Sequence, residues 1–140
     1  MTDYSTKTAA VLGSTGSVGR QAIDALTALG VRISLLSAGN NIELLLKQIG
    51  ELHPDAVAVP GEENGKKLRE ITGGGIRVYS GERAVCRAVK ECEADIIVHA
   101  ISGLAGLPSA LAAAETGARI AMANKEALIS AGHLIYGRLA

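Results

Sequence analysis

The sequence predicts an α/β chain folded as a doubly wound, mostly parallel sheet with helices on both faces. Three observations predict it. Short apolar β-type runs alternate with stretches of helical periodicity. The first run, Ala9–Leu12, leads straight into the glycine-rich turn Gly13-Ser14-Thr15-Gly16-Ser17-Val18-Gly19. The apolar residues, 48% of the 140, are almost all aliphatic: there are three tyrosines and no Phe or Trp. A core of Ala, Val, Ile and Leu suits helices packed closely on a parallel sheet, and the length allows one domain with a sizeable core.

Each element has its own signal. After strand one (Ala9–Leu12), Ser17–Leu29 reads as a helix with Val18, Ala22, Ala25, Leu26 and Leu29 on its apolar face and Gly30 as its stop. Arg32–Leu36 is strand two, followed by the turn Ala38-Gly39-Asn40. Ile42–Leu52 is helical, with Ile42, Leu45, Leu46, Ile49 and Leu52 in register, and Pro54 breaks the chain after it. Ala56–Val59 is wholly apolar, hence a strand buried on both faces. Glu62–Ile71 is a charged, solvated helix ended by Gly73-Gly74-Gly75; a strand follows that triplet (Ile76–Tyr79), so it reads as a surface turn rather than a second phosphate loop. Helix Glu82–Glu91, strand Asp95–His99, helix Pro108–Thr116 with Gly117 as its stop, and strand Arg119–Met122 complete the alternation. A last helical pattern from about Lys125 carries no stop signal before Ala140.

Composition excludes several classes. Lys plus Arg and Asp plus Glu number 14 each, with no basic stripe and no polybasic segment, so neither nucleic acid nor a membrane surface is an expected partner. No apolar run approaches a membrane span and the first eight residues lack the apolar core of a secretory leader, which makes the cytoplasm the expected setting. Cys86 and Cys92 have neither redox-pair nor zinc-site spacing and read as reduced packing cysteines.

In a parallel sheet ligands sit beyond the carboxyl ends of the strands, where strand order switches. Four segments follow strands and share that rim: 13–19, 37–41, 100–106 and 123–126. In the first, Gly13 permits the tight turn, Gly16 lets the backbone approach phosphate oxygens, and Gly19 lets the helix pack on the strand. Ser14, Thr15 and Ser17 offer hydroxyl donors, and the helix start offers free N–H groups and a partial positive charge. The expected ligand is the pyrophosphate of a dinucleotide. No Asp or Glu stands at the end of strand two to claim a ribose 2′-hydroxyl, which favours NADP over NAD; Arg20 is the nearest cation. His99 ends strand five and reads as a partly buried imidazole with a backbone partner rather than an acid or base. Lys125, at a strand-to-helix junction, is a candidate for binding a phosphate or polarising a carbonyl.

Four segments together, Gly13–Gly19, Ala38-Gly39-Asn40-Asn41, His99–Pro108 (HAISGLAGLP) and Ala121-Met122-Ala123-Asn124-Lys125-Glu126, resemble the amino-terminal domain of the 1-deoxy-D-xylulose 5-phosphate reductoisomerases. The resemblance implies a Rossmann-like NADPH-binding domain over residues 1–140, cut from a longer enzyme whose metal-binding catalytic and C-terminal parts are missing. That enzyme rearranges its sugar-phosphate substrate and reduces the resulting aldehyde to 2-C-methyl-D-erythritol 4-phosphate, in the non-mevalonate route to isoprenoids. Carried over by motif, Gly13, Thr15, Gly16, Ser17 and Val18 hold the pyrophosphate. Gly39, Asn40 and Asn41 surround the adenosine ribose and its 2′-phosphate, and Ala100 and Ile101 line the path to the nicotinamide. Asn124 and Glu126 contact the cofactor, and Lys125 faces the substrate. Mg²⁺ or Mn²⁺ belongs to the full-length enzyme, a homodimer, with ligands outside this chain. Some relatives carry Lys where Asn40 stands, so weaker discrimination between NADPH and NADH is expected here. Two other readings stay open: a two-domain NADP-dependent reductase of the semialdehyde dehydrogenase type, which needs a nucleophilic cysteine, and a non-catalytic NADP-sensing module, which the absent final stop disfavours.

Overall fold

The computed structural model describes residues 3–123. The final helical pattern, His133, and the site candidates Asn124, Lys125 and Glu126 lie outside the described residues. Strands and helices alternate strictly: β1 (Thr8–Leu12), α1 (Ser17–Ala28), β2 (Arg32–Ser37), α2 (Ile42–Leu52), β3 (Ala56–Val59), α3 (Glu62–Thr72), β4 (Arg77–Ser80), α4 (Ala84–Cys92), β5 (Ile96–His99), a 3-10 turn at Leu104–Gly106, α5 (Leu107–Ala114) and β6 (Arg119–Met122). The six strands form one sheet in the order β4-β3-β2-β1-β5-β6, and every neighbouring pair is parallel. Strand order reverses between β1 and β5, which places the switch point beside the glycine turn.

Side-chain alternation along β1 divides the core in two. Ala9 and Val11 face α1, α2 and α3, packing with Ile23, Leu26, Leu45, Ile49 and Leu68. Ala10 and Leu12 face α4 and α5, packing with Ala84, Ala88, Val89 and Ala113. Alanine on the second face lets helix backbones approach the sheet closely, as the near absence of aromatics implied. Cross-strand register then aligns the carboxyl ends: Leu12 pairs with both Ser37 and His99, and His99 with Met122. The three loop segments singled out after β1, β2 and β5, and Ala123 after β6, therefore leave the sheet at one level.

One expected face is wrong. The buried side of α1 is Gly19, Ile23 and Leu26, while Val18 and Leu29 are about half exposed and Ala25 is exposed. The reason is the close approach of Gly19 to the turn, which rotates the helix so that residues 19, 23 and 26 meet the sheet. Boundaries also move: α4 begins at Ala84 rather than Glu82, and α5 ends at Ala114 rather than Thr116. The Gly73–Gly75 triplet is an exposed turn, with Gly73 as the left-handed cap of α3. No helix among the described residues is long and apolar enough to cross a membrane.

Candidate functional site: the rim at the strand switch

Leaving β1, the chain turns at Gly13, whose φ of +82° is a left-handed value that side chains rarely adopt. A Cβ there would lie 2.5 Å from the Ala100 carbonyl oxygen. The turn is anchored to β2: the Gly13 amide donates to Ser37 O (3.1 Å) and Ser37 Oγ (3.0 Å), and the Ser14 amide donates to Ser37 O (2.8 Å). Gly16 then caps α1 in extended conformation, with no side chain capping the helix and no acidic residue in its first turn. The amino end of α1 thus presents backbone N–H groups and the positive pole of the helix to the rim. Arg20 folds back, its Nε donating to Gly16 O at 3.4 Å.

Ser14 overturns one expectation. Instead of offering its hydroxyl to a ligand, it is fully buried, and its Oγ donates to Gln48 Oε1 at 2.8 Å. Thr15 is partly exposed and Ser17 exposed, so those two hydroxyls remain available.

On the neighbouring strand, Gly39 and Asn40 follow β2 into α2, and Asn41 caps that helix by accepting the Leu44 amide on Oδ1 at 3.2 Å. Asn40 and Asn41 are exposed. No acid precedes Glu43 in the first turn of α2. Ala100 and Ile101 continue from β5, with the Ala100 amide donating to Leu12 O at 2.8 Å.

Between these loops lies a cavity of about 390 Å³. Gly13, Gly16, Gly39, Ala100 and Ile101 line it, as do Ser102 and Ser109. Thr15, Ser17, Val18, Asn40 and Asn41 sit on the same rim without lining it. Its far wall, Pro60, Glu82, Val85 and Cys86, escaped the sequence reading. Cys86 is accordingly more than a packing cysteine: it faces this cavity, while Cys92, at the other end of α4, does not. The missed signal is geometric: in a parallel sheet the amino end of each covering helix returns to the strands' carboxyl rim, so first-turn residues of α4 belong there. A larger, more open hollow lies at the opposite edge, lined by Lys90, Asp95, Glu115 and Gly117 before β5 and β6, away from the glycine turn.

His99 is fully buried; it has the backbone hydrogen bonding expected, with Gly106, and a side-chain partner besides. Nε2 lies 2.9 Å from Ser109 Oγ, and Ser109 Oγ donates to Gly106 O at 3.0 Å. The single hydroxyl proton is thereby used, so Nε2 carries the proton it shares with Ser109, and Nδ1 is left a bare acceptor without a partner among the described residues. Burial holds the imidazole below its ordinary range, so it is neutral. Through Ser109, His99 ties the end of β5 to the first turn of α5. No group of three or more His, Cys, Asp or Glu side chains suited to a metal occurs among the described residues.

Comparison with known proteins converges on one family. The family model described as 1-deoxy-D-xylulose 5-phosphate reductoisomerase matches residues 9–132. Curated proteins of that name are similar to the chain: that of Ruminiclostridium cellulolyticum is 42% identical over 130 residues, covering 92% of this chain and 34% of the relative. That of Caldanaerobacter subterraneus subsp. tengcongensis is 43% identical over 129 residues, covering 91% and 34%. Among solved structures, the Zymomonas mobilis reductoisomerase in complex with NADPH superposes with a TM-score of 0.87 at 30% identity, over 94% of this chain and 35% of that one. A reductoisomerase in complex with NADPH, fosmidomycin and magnesium gives 0.86 at 32% identity, over 94% and 33%. The chain spans about a third of the length of the curated relatives it matches.

Proposed function

The chain belongs to the 1-deoxy-D-xylulose 5-phosphate reductoisomerase family, and from that premise we propose that it is the family's NADPH-binding domain. The observation that carries the reading is the uncapped amino end of α1 beside the cavity, with Gly16 at its head. A Cβ on Gly16 would meet nothing nearer than Gly13 O at 3.7 Å. The protein's own packing therefore leaves that space open to a ligand, and bare amides at a helix start suit a pyrophosphate.

In this reading the backbone of Thr15, Gly16, Ser17 and Val18, with Gly13 shaping the turn, grips the pyrophosphate. Gly39 and Asn40 border the adenosine ribose and its 2′-phosphate. Asn41 contributes through its Nδ2, because its Oδ1 is committed to capping α2. Ala100 and Ile101 guide the nicotinamide half along the end of β5, held in place by the His99–Ser109 pair. Asn124 and Glu126 complete the cofactor site and Lys125 faces a sugar phosphate. NADPH, when bound, supplies the hydride that reduces the aldehyde formed from 1-deoxy-D-xylulose 5-phosphate. The parent enzyme carries this out in isoprenoid biosynthesis as a cytoplasmic homodimer, with Mg²⁺ or Mn²⁺ held by its catalytic part. The carboxylate set such an ion needs is not found among the described residues. Spanning about a third of its relatives' length, the chain alone is expected to bind cofactor without turning over substrate.

Calorimetric titration tests the reading. Saturable heat with NADPH and no substrate-dependent NADPH oxidation are the expected results. Absence of heat, or substrate-dependent oxidation by the chain alone, would overturn it.

A further inference from the structure

We propose that Gln48 is a positioning residue that locks the phosphate turn to α2, so that the pyrophosphate amides and the ribose turn are held as one body. The inference rests on the NADPH-binding reading above. Gln48 lies on the buried stripe of α2 between Leu45 and Ile49, and only 6% of it is exposed. A primary amide placed there is costly unless both ends are paired. Both ends are paired, and with one residue. Gln48 Nε2 donates to Ser14 O at 2.8 Å, and Gln48 Oε1 accepts from Ser14 Oγ at 2.8 Å. The reverse orientation of the amide would set two acceptor oxygens against each other, so the carbonyl of Ser14 fixes which end is which.

Ser14 is thereby held on every polar atom, because its N–H already donates to Ser37 O on β2. It stands between Gly13 and Thr15, immediately before the amides assigned to the pyrophosphate. The helix that holds it begins at Ile42 and is capped by Asn41, the residue assigned to the ribose. Six residues of helix, about 9 Å of rigid rod, therefore connect the two ends of the binding rim through one side-chain amide. An apolar residue at 48 would fill the same space while leaving the Ser14 carbonyl and hydroxyl buried and unpaired, and the turn free to shift against α2.

The prediction is that a ligand spanning both segments is affected, and a ligand touching only the α2 end is not. Gln48→Met keeps length and apolar packing while removing the amide. It is expected to weaken NADPH binding about tenfold, the worth of one to two hydrogen bonds, with adenosine 2′-phosphate affinity, read by chemical-shift titration, within about twofold of the parent, all measured well below the variant's melting temperature. Gln48→Glu supplies a second readout. Ionised, its carboxylate opposes Ser14 O; protonated, it donates to that oxygen and restores the clamp. Its NADP⁺ affinity relative to the parent should therefore recover as pH falls. Equal losses for both ligands would reduce Gln48 to a general stabiliser of the fold and overturn the inference, as would a folded Gln48→Met that binds NADPH like the parent. A parent protein that binds adenosine 2′-phosphate no better than NADH-like ligands lacking the 2′-phosphate would remove the ribose turn and the coupling with it. A parent that binds no NADPH would overturn the functional reading itself.

Discussion

Replacing Gly19 with alanine separates what the turn owes to its own packing from what it owes to a ligand. A Cβ at Gly19 would stand 2.0 Å from the Gly13 carbonyl oxygen and 2.9 Å from Ser14 Cα, where carbon contacts settle near about 3.5–4.0 Å. Helix α1 and the turn must separate by roughly 1 Å or more to admit it. Overpacking of this kind costs about 1–3 kcal/mol, partly offset by the gain of about 1 kcal/mol in helix propensity over glycine. The effect on binding is larger. Amide hydrogen bonds hold only over about 2.7–3.2 Å, so such a shift breaks them. Each one made to a charged group contributes about 1.5–3 kcal/mol, so losing two weakens NADPH binding more than roughly a hundredfold. Gly16→Ala is the comparator. Its methyl clashes with nothing in the protein and costs at most about 1 kcal/mol in capping, yet it intrudes where phosphate oxygens approach. Calorimetric titration with NADPH, beside thermal melts, reads both variants: Gly19→Ala loses stability and affinity, Gly16→Ala affinity with little stability. A Gly16→Ala protein that binds NADPH as tightly as the parent would refute the reasoning.

Three further outcomes are expected. Asn40→Lys offers a 2′-phosphate a charged donor at an exposed position. Solvent screening keeps the gain in the NADPH-to-NADH affinity ratio near about tenfold, the low end for such bonds, and an unchanged ratio would show that residue 40 does not meet the 2′-phosphate. His99 is buried neutral with its pKa depressed from 6.5, so the unfolded chain takes up the extra proton first; stability is full above about pH 6.5 and is lost as pH falls through and below it. Denaturant melts between pH 7.5 and pH 5 should show that fall, and His99→Leu should flatten it. Cys86 faces the cavity and Cys92 does not, so bound NADPH should slow alkylation of Cys86 by N-ethylmaleimide while leaving Cys92 unaffected. Burial pushes the Cys92 thiol up in any case, and equal protection of both would point to a global tightening instead.

The fold was legible because its signals are local. Apolar runs bounded by glycine and proline define strands, and β3, α2 and β6 occupy the residues that the periodicity marks. Strand ends sharing one rim follow from parallel topology alone, which is why residues as distant as Gly13, Gly39 and Ala100 could be brought together in advance. What stayed hidden depends on partners remote in sequence. Gln48 stands 34 positions from Ser14, and nothing in the helical repeat says that a polar residue beside Leu45 faces inward with an occupied amide. The facing of α1 is not legible in the apolar pattern because glycine carries no hydropathy, although Gly19 lies on the side of the helix that meets the sheet. The Ser109 hydroxyl that pairs with His99 Nε2 sits beyond a loop whose path the apolar pattern does not encode.

These contacts also change what the glycine pattern means. Gly13 and Gly19 are required by the protein itself, one by a positive φ and the carbonyl of Ala100, the other by the carbonyl of Gly13. The Ser14 hydroxyl is likewise spent internally, on Gln48. A spaced set of glycines interleaved with hydroxyls is therefore mostly a recipe for bringing strand, turn and helix close together, and a protein with no ligand could use it. Gly16 is different. Its neighbourhood has room for a side chain, its backbone is one that most residues adopt, and the helix it heads would gain from a serine or aspartate cap. A cap would fill the helix's amino end with the protein's own oxygen. Leaving that position to glycine forgoes stability and keeps the amides free, which is the condition a bound phosphate requires.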